Sequence, residues 1–113
     1  MSNKSNSILS LQSKEWLVKA LQILMKTKNY SDITIKELAQ KAGVDRKTFY
    51  RNFKSKEDVL RFYLDKTCQD YIARLNQEHK LTTLSIAKAF FSTCKQHSEF
   101  LILLDKNDLF RYY

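Results

Sequence analysis

Arg46, Lys47, Tyr50 and Arg51 fall within six residues, interleaved with Phe49 and followed by Phe53. On a helix the two phenylalanines share one face at i, i+4, which leaves the three cations and the tyrosine around the other sides. A guanidinium offers a forked donor to a phosphate or to the O6 and N7 edge of guanine. A short helix with aromatics inside and cations outside has the chemistry of a helix that reads duplex DNA. Cys94 and His97, at i, i+3, are a second chemically capable pair, since both types ligate metals. A zinc site needs a third and a fourth ligand, and none stands nearby in sequence. The pair therefore reads as a packed thiol and a surface imidazole rather than the core of a small metalloenzyme. His79 reads as a loop residue. No nucleophile elbow, phosphate loop or paired-carboxylate constellation appears, and nothing points to an enzyme.

The elements that must position the basic helix are marked by local signals. Gly43 is the only glycine of the chain, placed where a turn needs positive φ. Upstream, Thr34 and Glu37 have capping-box spacing, which predicts a helix over about Ile35 to Ala42 with Leu38, Ala39 and Ala42 inward. Downstream, Asp45 can cap a helix from Arg46 to about Phe53. A longer helix precedes this pair, from about Ser10 to Lys28, with Trp16, Leu17, Ala20, Leu21 and Leu24 on one stripe. Asn29–Asp32 breaks it. Ser55, with Glu57 and Asp58 behind it, opens a fourth helix to about Glu78, with Leu60, Leu64, Cys68, Tyr71, Ile72 and Leu75 on its stripe. A fifth covers about Thr83 to His97. A sixth starts near Ser98, and Asp108–Tyr113 reads as the interior of an apolar helical segment. With no proline and no sustained period-two alternation, the fold class is all-α.

Charge agrees with the basic helix. The formal net charge is +8, and residues 1–61 hold 13 Lys plus Arg against 6 acids, whereas residues 62–113 hold 7 against 6. A charge concentrated around one helix pair looks like a footprint for phosphates. A solvated lysine-rich surface would give the same count. No apolar run approaches the ~20 residues of a membrane span, and Ile8-Leu9 is too brief for a signal-peptide core, so the chain reads as cytoplasmic. Cys68 and Cys94, far apart on predicted helices, read as reduced thiols.

With these residues in place, a family resemblance becomes visible. Ile33-Thr34-Ile35-Lys36-Glu37-Leu38-Ala39, Ala42-Gly43-Val44, Thr48-Phe49-Tyr50-Arg51-Asn52-Phe53 and Ser55-Lys56-Glu57 resemble, in order and without gaps, the signature of the TetR/AcrR (tetracycline-repressor) family. The likeness covers roughly the first 65 residues. It implies a three-helix helix-turn-helix domain at 10–56 behind a flexible arm at 1–9. A long helix would join it to a helical dimerisation and effector domain, of which 57–113 is the start.

The resemblance also implies site residues. The third helix would lie in the major groove, making Arg46, Lys47 and Thr48 base-reading candidates. Tyr50 matches a tyrosine that meets the DNA backbone, and Lys56 matches a lysine that grips phosphate at a helix start. Thr34 and Lys36 match positions that reach the backbone or a base edge. Asn52 stands where the family usually has histidine or tyrosine, and can still donate to phosphate. Lys47 replaces an often small residue, Asp45 replaces a serine or threonine, and Asn29 takes a common glycine position that tolerates left-handed geometry. The implied partners are double-stranded DNA, a second copy of the chain and a small-molecule effector, without cofactor or metal. The resulting expectation is a homodimeric, ligand-responsive repressor on a palindromic operator. The alternative is a regulator that keeps the fold but binds a protein partner instead.

Family members continue well past this length, so 57–113 is expected to be incomplete. Tyr63, Tyr71, Phe90, Phe91 and Phe100 could line part of a pocket, although aromatics at helical spacing more often form core. The apolar stripes of the last three helices exceed what residues 1–61 can cover. Self-association, or further helices over Phe100, Leu104 and Phe110, is therefore expected.

Overall fold

The computed structural model describes residues 2–110, with side chains from Leu9 onward. Every regular element among them is helical: α1 (Ser2–Met25), a 3-10 turn (Tyr30–Asp32), α2 (Ile35–Ala42), α3 (Arg46–Asn52), α4 (Lys56–Asn76), α5 (Thr83–Gln96) and α6 (Ser98–Lys106). The all-α class is as read from the sequence. No described helix is long and apolar enough to cross a membrane. The chain divides into two compact units between Arg61 and Phe62, inside α4. That is about one turn beyond the division after Lys56 read from the sequence, because Val59 and Leu60 are buried with the first unit.

In the first unit α1 starts well before Ser10, and the Ser/Asn-rich stretch read as an arm is helical from Ser2. Serine and asparagine are only middling helix formers, which is why the stretch looked like an arm. Nothing breaks the backbone there, however, and extending an established helix adds one hydrogen bond for each residue fixed. Leu17, Ala20, Leu21 and Met25 carry the buried face of α1. Leu24 is half-buried, and Trp16 is 46% exposed rather than on the stripe. Trp16 precedes Leu17 by one position, about 100° around the helix, which takes the indole off the inward face. Asn29 is extended, at φ −68° and ψ 143°, and needs no left-handed geometry.

The turn from α2 to α3 is local chemistry throughout. Gly43 is left-handed at φ 75°, the Gly43 N–H donates to the Gln40 carbonyl and the Val44 N–H to that of Ala39. This pattern closes the end of α2 with the backbone only glycine adopts without strain. Leu38, Ala39, Phe49 and Phe53 point into a core shared with α1, Tyr30, Ile33, Val59 and Leu60.

The second unit holds the rest of α4 with α5 and α6. Thr82 caps α5: its hydroxyl accepts from the Ser85 N–H at 3.0 Å, and the Ser85 hydroxyl accepts from the Thr82 N–H at 2.9 Å. His97 ends α5 and precedes α6, and both its ring nitrogens are engaged. Nδ1 lies 2.8 Å from the Tyr63 hydroxyl and Nε2 lies 2.8 Å from the Asp70 carboxylate. The Tyr63 ring stacks on Phe100 with centroids 4.2 Å apart, and burial pushes the Tyr63 hydroxyl pKa up. His97 is thus a bridge from the α5–α6 junction to α4, not a surface imidazole.

The aromatic set splits. Phe100 is buried and Tyr63 is half-buried, whereas Phe90 and Phe91 are 51% and 69% exposed. Phe100 and Leu104 need no further cover, being 2% and 1% exposed. The exposed apolar side chains of this unit instead include Ile72, Leu81, Leu84, Ile86 and Ile102 beside Phe90 and Phe91, with Phe110 at 44%. Cys68 is exposed rather than on a buried stripe, Cys94 is half-buried, and both are free thiols. Nor does α6 run on through Asp108. Asp108 is left-handed at φ 56°, its N–H donates to the Asp105 carbonyl, and the Leu109 N–H donates to that of Leu104. This is the closing pattern seen at Gly43, made with an aspartate that tolerates the left-handed region. Arg111, Tyr112 and Tyr113 lie outside the described residues.

Candidate nucleic-acid interface

The interface candidates all lie at residues 34–56, and most sit on the outer side of the α2–α3 pair. At the start of α2 the Thr34 hydroxyl accepts from the Glu37 N–H at 3.1 Å, and the Glu37 carboxylate accepts from the Thr34 N–H at 3.1 Å. The capping box is complete. Lys28 adds an ammonium 2.5 Å from Glu37, and this hydrogen bond, followed by that of the Thr34 backbone, holds the Glu37 carboxyl below its ordinary range. Thr34 is exposed, but its hydroxyl also donates to Glu37 at 3.2 Å, so it has only acceptor capacity left for a ligand. Lys36, in the first turn of α2, is exposed.

Asp45 starts α3 by accepting from the Thr48 N–H at 2.7 Å, and this bond holds the Asp45 carboxyl below its usual range. The helix then sorts its residues by face. Phe49 is fully buried and Phe53 is 6% exposed, while Arg46, Lys47 and Arg51 face solvent. Tyr50 is 50% exposed, with its ring edge-on to Phe49 at 5.3 Å and the Arg46 guanidinium 5.9 Å above it. Tyr50 therefore stands out from α3 on a buried aromatic footing, with a cation beside it. Thr48 is half-buried. This sorting matches the i, i+4 reading of the sequence.

Two candidates have structural work as well. The Asn52 amide donates to the Thr48 carbonyl at 3.0 Å, and its oxygen accepts from the Ser10 hydroxyl of α1 at 2.5 Å. One amide hydrogen remains for any phosphate. The Lys56 ammonium donates to the Tyr30 carbonyl at 2.8 Å and the Ile33 carbonyl at 3.0 Å, and lies 4.3 Å from the Tyr30 ring. Lys56 thus ties the start of α4 to the 3-10 turn, with the Tyr30 hydroxyl donating to Glu57 at 2.6 Å alongside. No sequence pattern announces these contacts, because the partners are 23 and more positions apart. Arg51 was named on the outer face without a role. Its signal was its i, i+3 spacing from Thr48, which places both on one side of α3.

Comparison with known proteins covers the same stretch. Residues 17–61 match the family described as bacterial regulatory proteins, tetR family. An uncharacterized HTH-type transcriptional regulator of Bacillus subtilis (strain 168), YxbF, is 29% identical over 80 residues, which is 70% of this chain and 21% of that protein. The HTH-type transcriptional regulator EthR of Mycolicibacterium smegmatis is 46% identical over 44 residues, 39% of this chain and 20% of that protein. The chain thus spans about a fifth of the length of these curated relatives. No solved structure gives a significant match. Residues 17–61, the helix-turn-helix of the chain, are thus similar to the tetR family of bacterial regulatory proteins.

Proposed function

We propose that this chain is the DNA-binding part of a cytoplasmic transcriptional repressor that holds a palindromic operator as a homodimer and releases it when a small effector binds. The observation that carries the reading is the division of α3 into a buried aromatic face and an exposed face of Arg46, Lys47, Tyr50 and Arg51. In the proposed complex α3 enters the major groove, with Arg46 and Lys47 toward base edges and Thr48 toward a thymine methyl or a phosphate. Tyr50, Asn52, Lys36 and Lys56 meet the backbone and set the register, while Thr34, left with acceptor capacity alone, faces a donor on a base edge.

One short recognition helix has little affinity at physiological salt. Two copies about 34–36 Å apart would meet successive major grooves. The exposed apolar side chains of the second unit, Leu84, Phe91 and Ile102 among them, support association with another surface. Relatives named as transcriptional regulators support the regulatory role.

Selection from random duplex DNA tests the proposal. The expected product is a palindromic consensus whose affinity falls steeply with salt. Absence of duplex binding even at low salt would overturn it in favour of a regulator that acts through a protein partner.

A further inference from the structure

Between the N-terminal half of α1 and the C-terminal part of α3 lies a notch lined by Leu9, Ser10, Ser13, Thr48, Arg51 and Asn52. Its chemistry is one-sided. Three hydroxyls, an amide and a guanidinium line it, and no carboxylate does. The Ser10–Asn52 hydrogen bond, at 2.5 Å, fixes the wall where the two helices meet. Arg51 is exposed at the rim and makes no hydrogen bond among the described residues. The nearby Asp45 carboxylate feels the charge of Arg51 but is held by Thr48, whose N–H donates to it at 2.7 Å and whose hydroxyl bonds to it as well. A recess of neutral donors with a cation at its edge suits a tetrahedral oxyanion, which presents acceptors on every side.

We infer that this notch seats a backbone phosphate of the duplex, with Arg51 and the Ser13 hydroxyl as its donors. The inference rests on the DNA-binding reading above and adds α1 to the contact surface. Phosphate fits better than a base edge for a steric reason. A base edge lies at the floor of a groove and is reached by a protruding side chain, whereas a phosphate projects and is received by a recess. The notch shares Thr48 with the outer face of α3, so an anchored phosphate would set how that helix lies in the groove.

The test is the affinity of the chain for its selected duplex and for a scrambled duplex across a salt series. It compares wild type with Arg51→Ala, Arg51→Lys and Ser13→Asp, each checked by thermal melting. Arg51→Ala should weaken both duplexes alike, by about tenfold, and lower the slope of log K against log salt by about 1. Arg51→Lys should keep the slope, because the charge remains. Ser13→Asp should weaken both duplexes by placing a carboxylate where the phosphate sits. An unchanged slope for Arg51→Ala, or a loss confined to the selected sequence, would overturn the notch while leaving DNA binding intact. A wild type that binds neither duplex at low salt would overturn the DNA reading, and the notch with it.

Discussion

Ser10 on α1 donates its hydroxyl to the Asn52 side-chain oxygen at the end of α3, 2.5 Å away and 42 positions along the chain. The other end of that amide holds the Thr48 carbonyl at 3.0 Å. Asn52 thus closes the last turn of α3 and joins it to α1. Asn52→Ala should cost about 1–2 kcal/mol, and Ser10→Ala about 0.5–1.5 kcal/mol, the values for losing half-buried hydrogen bonds. A double-mutant cycle read by denaturant unfolding should show coupling between the two. Strict additivity would mean that the bond does not stabilise the fold.

Arg46→Ala tests base reading. It should cost about 1–3 kcal/mol on the selected operator and relax preference at one base pair. Affinity for single-substitution duplexes gives the pattern. An equal loss on every sequence would make Arg46 a phosphate contact.

Lys56→Ala has two expected consequences. Two carbonyls lose a charged donor, so stability should fall by about 1.5–3 kcal/mol, with a lower melting temperature. Duplex affinity should also fall uniformly, with the salt slope reduced by about 1. Lower stability with an unchanged slope would leave Lys56 as a strut between Tyr30, Ile33 and α4, outside the DNA contact.

Acid should loosen the helix-turn-helix through its caps. The Asp45 and Glu37 carboxyls both titrate below their ordinary range in the folded state, chiefly through hydrogen bonds from the Thr48 backbone and from Lys28 respectively. Their contribution is therefore complete above the unfolded carboxyl pKa, about 4, and is lost as pH falls through the lower folded values. Asp45→Asn still caps but does not titrate, so its melting temperature should fall less steeply with acid than that of wild type. Parallel curves would remove Asp45 from the acid response.

His97 holds the second unit at the joint between α5 and α6. His97→Ala removes the partner of both Tyr63 and Asp70, and about 1–3 kcal/mol of local stability should go with it. Hydrogen exchange should speed up in α5 and α6 while α2 and α3 keep their protection. Uniform acceleration along the chain would mean that the bridge supports the whole molecule.

Thr34, Glu37, Gly43 and Asp45 were legible in sequence because their partners lie within a few residues, and such bonds form wherever the chain is helical. For the same reason the bounds of α2 were read from caps alone. The faces of α3 followed from the 3.6-residue period, which put Phe49 and Phe53 inward and left the cations outside. What period and caps cannot carry is which neighbour arrives through space. Leu17 and Met25 are buried while Trp16 and Ile72 are exposed, because packing against other helices sets the rotation of each helix. The Schellman turn at Asp108 has no glycine to announce it. Asn52 and Lys56 look in sequence like free donors for DNA, and only the tertiary fold brings Ser10, Tyr30 and Ile33 against them. The amino-acid order determined the helices and the basic face; the placement of α1 and the 3-10 turn decided which polar side chains of that face were engaged within the protein.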